Sequence, residues 1–402
     1  MYYVAETRAL VADGVIHSDQ AQEIERRARA AMVALVINSL LIGGIIAAAL
    51  GLVFWLADPM SVAVVGGLSA IVGVAILHKG SDLYRMFGNA AALIGAGILT
   101  SGAGLELADK HPQIATAAML AIGAGLAGMA LLGVLKGGPR LRFACGAILL
   151  MGLALHGAGL AFGVDVGDLS VLPTPLLHAY CAALLIAAGW LLDVRFVTAL
   201  AIIPLAQMLD TGTFYSHAMY AFYSPETTLS IVQMALIIGG CLWVGRRVGP
   251  QGQRQAGVLA IMAFVVLNLC FLVGSLWGDV VGQTIFGPAM YEVYSEAAYD
   301  AYYAARAAYE AQAFVISEEV YAVVWAVFLA ITTVWAALRN RRGLFSAGMT
   351  FAGIHAYTQL FENFGDESLA YVVGGLAAVP LAWGLWRLDG KLWGEREPAP
   401  QV

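Results

Sequence analysis

"EEVYAVVWAVFLAITTVWAALRNRR", residues 318–342, decides the fold class. Two acids lead into nineteen residues without a charge, and three arginines follow. As helix, nineteen residues rise roughly 29 Å, which matches the hydrocarbon core of a bilayer. The run reads as a membrane span. Arg339, Arg341 and Arg342 mark its cytoplasmic end, because basic residues are retained on that side.

The same pattern recurs along the chain. Of 402 residues, 60% are hydrophobic and 12% charged, where a soluble domain carries about a quarter charged. Twelve runs read as spans, at about 32–56, 60–78, 88–107, 113–135, 142–162, 173–192, 196–210, 228–245, 256–277, 320–338, 344–362 and 368–387. Arg8, Arg26, Arg27 and Arg29 precede the first. Basic residues then fill every second connection, leaving only Lys110 and Arg306 on the other side. The expected fold is all-α and polytopic, with about twelve transmembrane helices and both termini cytoplasmic. The run 196–210 is short and interrupted by Pro204, so it reads as a short or re-entrant helix.

The expected organisation has five parts. Residues 1–31 form a cytoplasmic helical hairpin, 32–277 the first nine spans, and 278–319 an extracytoplasmic segment. Residues 320–388 carry the last three spans, and 389–402 form a cytoplasmic tail. In the hairpin, Gly14 breaks the first helix and Ser18 is placed to cap the second, with Asp19 in its first turn. Leu10, Val11, Val15, Ile16 and Ile24 are its expected small core. The hairpin offers a surface (residues 1–30) to a cytoplasmic partner. The first thirty residues are polar, which excludes a cleavable signal peptide.

"ADGVI" (12–16) followed by "SDQAQEI" (18–24), together with "YTQLFENFGDESLAYVVGGLAAVPLAWGLWRLD" (357–389), resembles a bacterial family of multi-pass membrane proteins of unknown function. The resemblance lies at the two ends. It implies a bacterial cytoplasmic (inner) membrane location and no particular activity.

Polar side chains inside spans are costly in lipid and are the first functional candidates. "GIHAYTQLFENF" (353–364) places His355, Gln359 and Glu362 on one helix face. His156, Asp210 and Glu106 fall at similar depths in other spans. Together they outline a polar cavity open to the outer face, for substrate binding or proton coupling. The alternative is that they hydrogen-bond between helices or sit at headgroup level. His156, His178 and His355 lack ligand spacing, so no metal is expected. Cys145, Cys181, Cys241 and Cys270 lie in apolar runs and read as packing residues. The 46 glycines read chiefly as close helix packing.

The segment "YEVYSEAAYDAYYAARAAYEAQ" (291–312) is an amphipathic helix on the outer side. Tyr291, Tyr294, Tyr302 and Tyr309 share a stripe, opposite an acidic face. It reads as a lid over the cavity, a docking surface for an extracytoplasmic partner, or a cover for span ends. No phosphate loop, nucleophile elbow, zinc-peptidase motif or haem-type histidine pair is present, no cofactor is expected, and nothing points to nucleic acid. The loop "KGSDLYRMFGN" (79–89) departs from the spacing of the major facilitator signature.

The function expected first is a transporter or flippase-like carrier of a small polar or amphipathic solute. A non-catalytic scaffold or envelope-associated protein comes second. An enzyme using His355 and Glu362 as acid and base comes third.

Overall fold

The computed structural model describes residues 7–56, 58–80, 84–169, 172–209, 214–215, 222–223, 226–288, 296–339 and 341–364, with scattered positions between 372 and 387. Asp210, Tyr291 and Tyr294, and most of the expected span at 368–387, lie outside the described residues. The chain divides into two compact units, Met1–Leu172 and Pro173–Val402.

The first unit holds α1 (Thr7–Ala12), α2 (Ser18–Leu56), α3 (Pro59–Lys79), α4 (Arg85–Lys110), α5 (Pro112–Lys136) and α6 (Pro139–Asp165). Proline opens α3, α5 and α6, where its fixed φ suits the helix and no N–H is needed. The turn between α1 and α2 uses Gly14 at φ +69°. Ser18 is the first helical residue rather than the cap. The Gln20 side chain instead accepts the backbone N–H of His17, 3.0 Å away, half of a capping box. The helix then runs unbroken to Leu56, so its arginines lie mid-helix and not at a C-terminal end. Val15 and Ile24 are exposed, and the expected hairpin core is correspondingly thin.

Glycines and alanines seven residues apart build two helical hairpins. In α3 they are Gly66 and Gly73, and in α4 Gly88, Gly95 and Gly102. A Cβ on Gly73 would stand 2.3 Å from the Ala92 nitrogen, and one on Gly95 would stand 2.4 Å from the Ala70 nitrogen. Backbone therefore meets backbone along the seam. α5 and α6 repeat the device, with Gly123 against the His156 nitrogen and Gly152 against that of Ala127. Helices in lipid gain from such contact because the surrounding tails offer no hydrophobic contrast. The paired glycines at 43–44 and 239–240 have nothing within 4 Å, whereas Gly66 of the pair 66–67 lies in the seam, so position on the seam and not doubling marks the packed glycines.

The second unit holds α7 (Thr174–Leu192), α8 (Arg195–Leu200), α9 (Ile202–Gln207), β1 (Phe214–Tyr215), β2 (Phe222–Tyr223), α10 (Thr227–Gly245) and α11 (Pro250–Trp277). After these come β3 (Asp279–Val280), α12 (Gln283–Phe286), α13 (Glu296–Glu310), β4 (Val315–Ile316), α14 (Glu318–Leu338) and α15 (Arg342–Phe364). Each strand pair is antiparallel: β1 with β2, and β3 with β4. The stretch expected to cross at 196–210 is the broken pair α8–α9, interrupted at Ala201 three residues before Pro204. α10 packs on α11, and α11 on α14 and α15. Phe264, Phe271, Tyr321, Trp325, Leu329 and Phe351 fill the centre of this bundle, and the Phe271 and Trp325 rings stack in parallel at 6.4 Å.

The protein is all-α apart from two short ribbons. Among the described residues eight helices, α3–α7, α10, α11 and α14, are long and apolar enough to cross a membrane. α2 and α15 are long helices that fall outside that set.

Candidate functional site

The bundle of α10, α11, α14 and α15 has its charges sorted to its two ends. The short turn at 246–249 and the β3–β4 pairing bring the start of α10, the end of α11, the start of α14 and the end of α15 together. That end carries Glu226, Asp279, Glu318, Glu319 and Glu362, and the opposite end carries Arg246, Arg247, Arg254, Arg339, Arg341 and Arg342. Between them, His355 is the sole histidine of these four helices.

At the acidic end two buried carboxylates cap each other's elements. Asp279, from the turn after α11, accepts the Thr227 and Thr228 N–H groups of α10 at 3.1 and 2.8 Å. Its carboxylate also accepts the Thr228 hydroxyl and, at 3.3 Å, that of Tyr321. Glu226, just ahead of α10, reaches back and accepts the Gly282 and Thr284 N–H groups at 2.6 and 2.8 Å. The unpaired N–H groups of a helix start attract acceptors and negative charge, so each carboxylate is stabilised where it sits.

Roughly 10–14 Å further in, by helix rise, lie Asn268, Trp325 and His355. Asn268 and Trp325 are completely buried. The indole Nε1–H of Trp325 donates to Asn268 Oδ1 at 2.9 Å, and Asn268 Nδ2 donates to the Phe264 carbonyl at 2.7 Å. His355 meets the Trp325 ring edge-on, with centroids 4.7 Å apart. Its Nδ1 is buried and has no hydrogen-bond partner. Gln359, one turn on, is half-buried on the same face, and Glu362 is exposed.

The other two described candidates, Glu106 and His156, belong to the first unit. Glu106 is buried and ion-paired to Lys110 at 3.0 Å, and Lys110 also contacts Asp58 at 2.9 Å. Asp58 accepts from the Ser61 N–H and hydroxyl at the start of α3. Lys110, together with these Ser61 bonds, holds the Asp58 carboxyl down at about 2. His156 Nδ1 lies 2.9 Å from the Leu120 carbonyl on α5. A carbonyl only accepts, so this nitrogen carries the proton and ties α6 to α5. His178 bonds the Thr174 carbonyl of its own helix. Among the described residues no group of three His, Cys, Asp or Glu side chains is arranged to hold a metal.

A cavity of about 280 Å³ opens beside α4, α5 and α6, between Leu99, Ile122, Leu126, Met129 and Leu155. Thr100 also lines it, with its hydroxyl bonded to the Ala96 and Gly97 carbonyls of its own helix. The space is apolar. It is a different feature from the polar cavity outlined by the sequence.

A second polar cluster forms at the basic end of the second unit. Asp193 sits in the left-handed region at φ 53° after α7. It accepts from Gln255 at 2.9 Å and Arg254 at 2.8 Å, and these contacts, Gln255 first, hold its carboxyl below the usual range. Gln255 in turn accepts the buried Thr198 hydroxyl at 2.7 Å, which ties α8 to α11.

No protein-family model, curated protein or solved structure matches the chain. The geometry alone therefore carries the functional argument. Sequence reasoning passed over Asn268, Trp325, Glu226 and Asp279. Asn268 carried a usable signal, since a lone amide in an apolar run meets the same test that singles out His355.

Proposed function

We propose that the chain is a polytopic carrier of the bacterial cytoplasmic membrane, with twelve spans and both termini cytoplasmic. It takes a small polar or amphipathic solute from the outer side, and the second unit holds the polar group that does the work. The observation behind this reading is His355: a buried, unpartnered ring nitrogen in a bundle otherwise stripped of charge. An idle polar atom there is costly, and a ligand or a proton would relieve it. Glu106 and His156 each have a structural bond already, so the reading does not lean on them.

Uptake of labelled small solutes by cells expressing the chain tests it. His355→Ala should abolish whatever uptake the wild type adds, at equal membrane abundance. Undiminished uptake by that variant would sink the proposal. A reporter fused near residue 300 should read as external, and a cytoplasmic reading there would overturn the topology.

A second reading, as a scaffold, is favoured by α13. This helix is exposed along most of its length and stands on a stem held by Glu226 and Asp279. A scaffold would tolerate His355→Ala and fail when residues 1–30 or 286–316 are deleted.

A further inference from the structure

The segment between α11 and α14 is more than an acidic helix on a tether. β3 and β4 close it at the base, Val281 N–H donates to the Phe314 carbonyl at 3.0 Å, and Tyr309 on α13 donates to the Val281 carbonyl at 3.0 Å. Gly282, at φ +84°, brings the Phe286 ring and the Tyr309 hydroxyl against one turn. The root of the insert is therefore a small folded body, continuous with the end of α11.

That root exposes large side chains without a polar group, where α13 exposes alanines and the hydroxyl-bearing rings of Tyr299 and Tyr303. Ile285, Phe286, Phe314 and Val315 are exposed by 63, 76, 72 and 57%, and Trp277, the last residue of α11, by 62%. The outward residues of the spans themselves, such as Leu236 at 71% and Ile331 at 64%, show comparable values. In water such a patch would be a liability. α13 shows solvent Tyr299, Asp300 and Tyr303, and its single arginine is taken up by Glu310 at 2.7 Å.

We propose that the root, through Trp277, Ile285, Phe286, Phe314 and Val315, is a monotopic anchor seated in the headgroup–acyl boundary of the bilayer. α13 stands on the water side of it. Continuity with α11 places the patch at the right level, since Trp277 ends a helix that is itself a candidate span. Aromatic side chains are favoured in that zone, which also accommodates nearby carboxylates. No free cation lies among the described residues of the root, so the attraction is apolar and indifferent to anionic lipid. Lid and docking readings of α13 both inherit this mounting. The inference itself does not depend on transport.

Site-directed spin labelling of the full chain in nanodiscs tests it, with the four native cysteines replaced by alanine. Labels go at Phe286→Cys and Phe314→Cys, with Tyr303→Cys as the water reference and Ile331→Cys as the lipid reference. At 286 and 314, collision with oxygen should exceed collision with a water-soluble nickel chelate, as at 331 and the reverse of 303. The ratio should be the same in zwitterionic and anionic nanodiscs. Nickel contact equal to that at 303 overturns the anchor. So does protection from both reagents, which would mean that protein covers the patch. Brominated lipids give a label-free check. They should quench the wild type more than Trp277→Phe, and equal quenching would remove Trp277 from the anchor.

Discussion

Asp279→Ala is the most informative single change, because one carboxylate serves four donors from two helices. Its removal strips the cap from α10 and leaves the Thr227 N–H, 1% exposed, without an acceptor. Loss of a helix cap costs about 1 kcal/mol, and stranding buried donors adds about 1–3 kcal/mol. The expected total is about 2–4 kcal/mol. Asp279→Asn keeps the shape and one carbonyl oxygen while losing the charge, for about 1–2 kcal/mol. For a large chain 1 kcal/mol moves the melting midpoint by roughly 2–4 °C, so alanine should lower it by roughly 10 °C and asparagine by roughly 4 °C. The buried thiols Cys145 and Cys270 allow this to be read with a thiol-reactive dye that fluoresces as the fold opens. If alanine shifts the midpoint by less than the ~2 °C expected of 1 kcal/mol, the carboxylate is not holding α10. If asparagine is as damaging as alanine, the acceptor geometry argued above is wrong.

Four further expectations are read by melting. Gly73→Ala places a methyl 2.3 Å from the Ala92 backbone nitrogen and should cost about 1–3 kcal/mol or more through forced separation of α3 and α4. Gly239→Ala, with nothing within 4 Å, should be neutral or stabilising by up to about 1 kcal/mol. Asn268→Leu leaves the fully buried Trp325 N–H unpaired and should cost about 1–3 kcal/mol, while Trp325→Phe in the Asn268→Leu background should lose less than the two changes summed. The Asp58 carboxyl sits at about 2 in the fold against 3.8 in its reference state. Its contribution is therefore complete above about pH 4 and lost as pH falls through about 2. In a pH series of melts, Asp58→Asn should destabilise at neutral pH and converge with wild type at the acid end of that window.

The apolar runs and the break near Pro204 were legible because span length and proline chemistry are properties of one segment. The face shared by His355 and Gln359 was legible for the same reason, being helical arithmetic. What escaped was what lies across a helix gap. Asp279 and Thr227 are 52 residues apart, and no local pattern says which helix start a turn will reach. Trp325 looks like any interfacial aromatic until Asn268 stands opposite its indole nitrogen. The glycines fall between these cases. The seven-residue spacing of 66/73 and 88/95/102 is visible in the chain, yet glycine content alone does not tell these from Gly43, Gly44, Gly239 and Gly240, which are open. Spacing, which fixes a face, was the better guide than density.

The two units pack their helices by different means. In the first, Gly66, Gly73, Gly95, Gly123 and Gly152 bring backbones together, His156 ties α6 to α5, and Glu106 pairs with Lys110 of its own helix. Such a seam tolerates no added volume; among its described residues the buried Asn89 Oδ1 has no hydrogen bond, and the buried Glu106 Oε2 has only the Lys110 ion pair. In the second, large rings meet through Phe271, Tyr321 and Trp325, and polar groups are spaced along the bundle: carboxylates at one end, the Asn268–Trp325 bond within, arginines at the other. Ring packing leaves room for side chains that are not fully satisfied, and His355 Nδ1 and the Thr333 hydroxyl are two such groups. A buried ring nitrogen without a partner, such as His355 Nδ1, carries a desolvation cost that an apolar isostere would remove. That cost, on the face that leads through Gln359 to Glu362, is the physical reason to test His355 first.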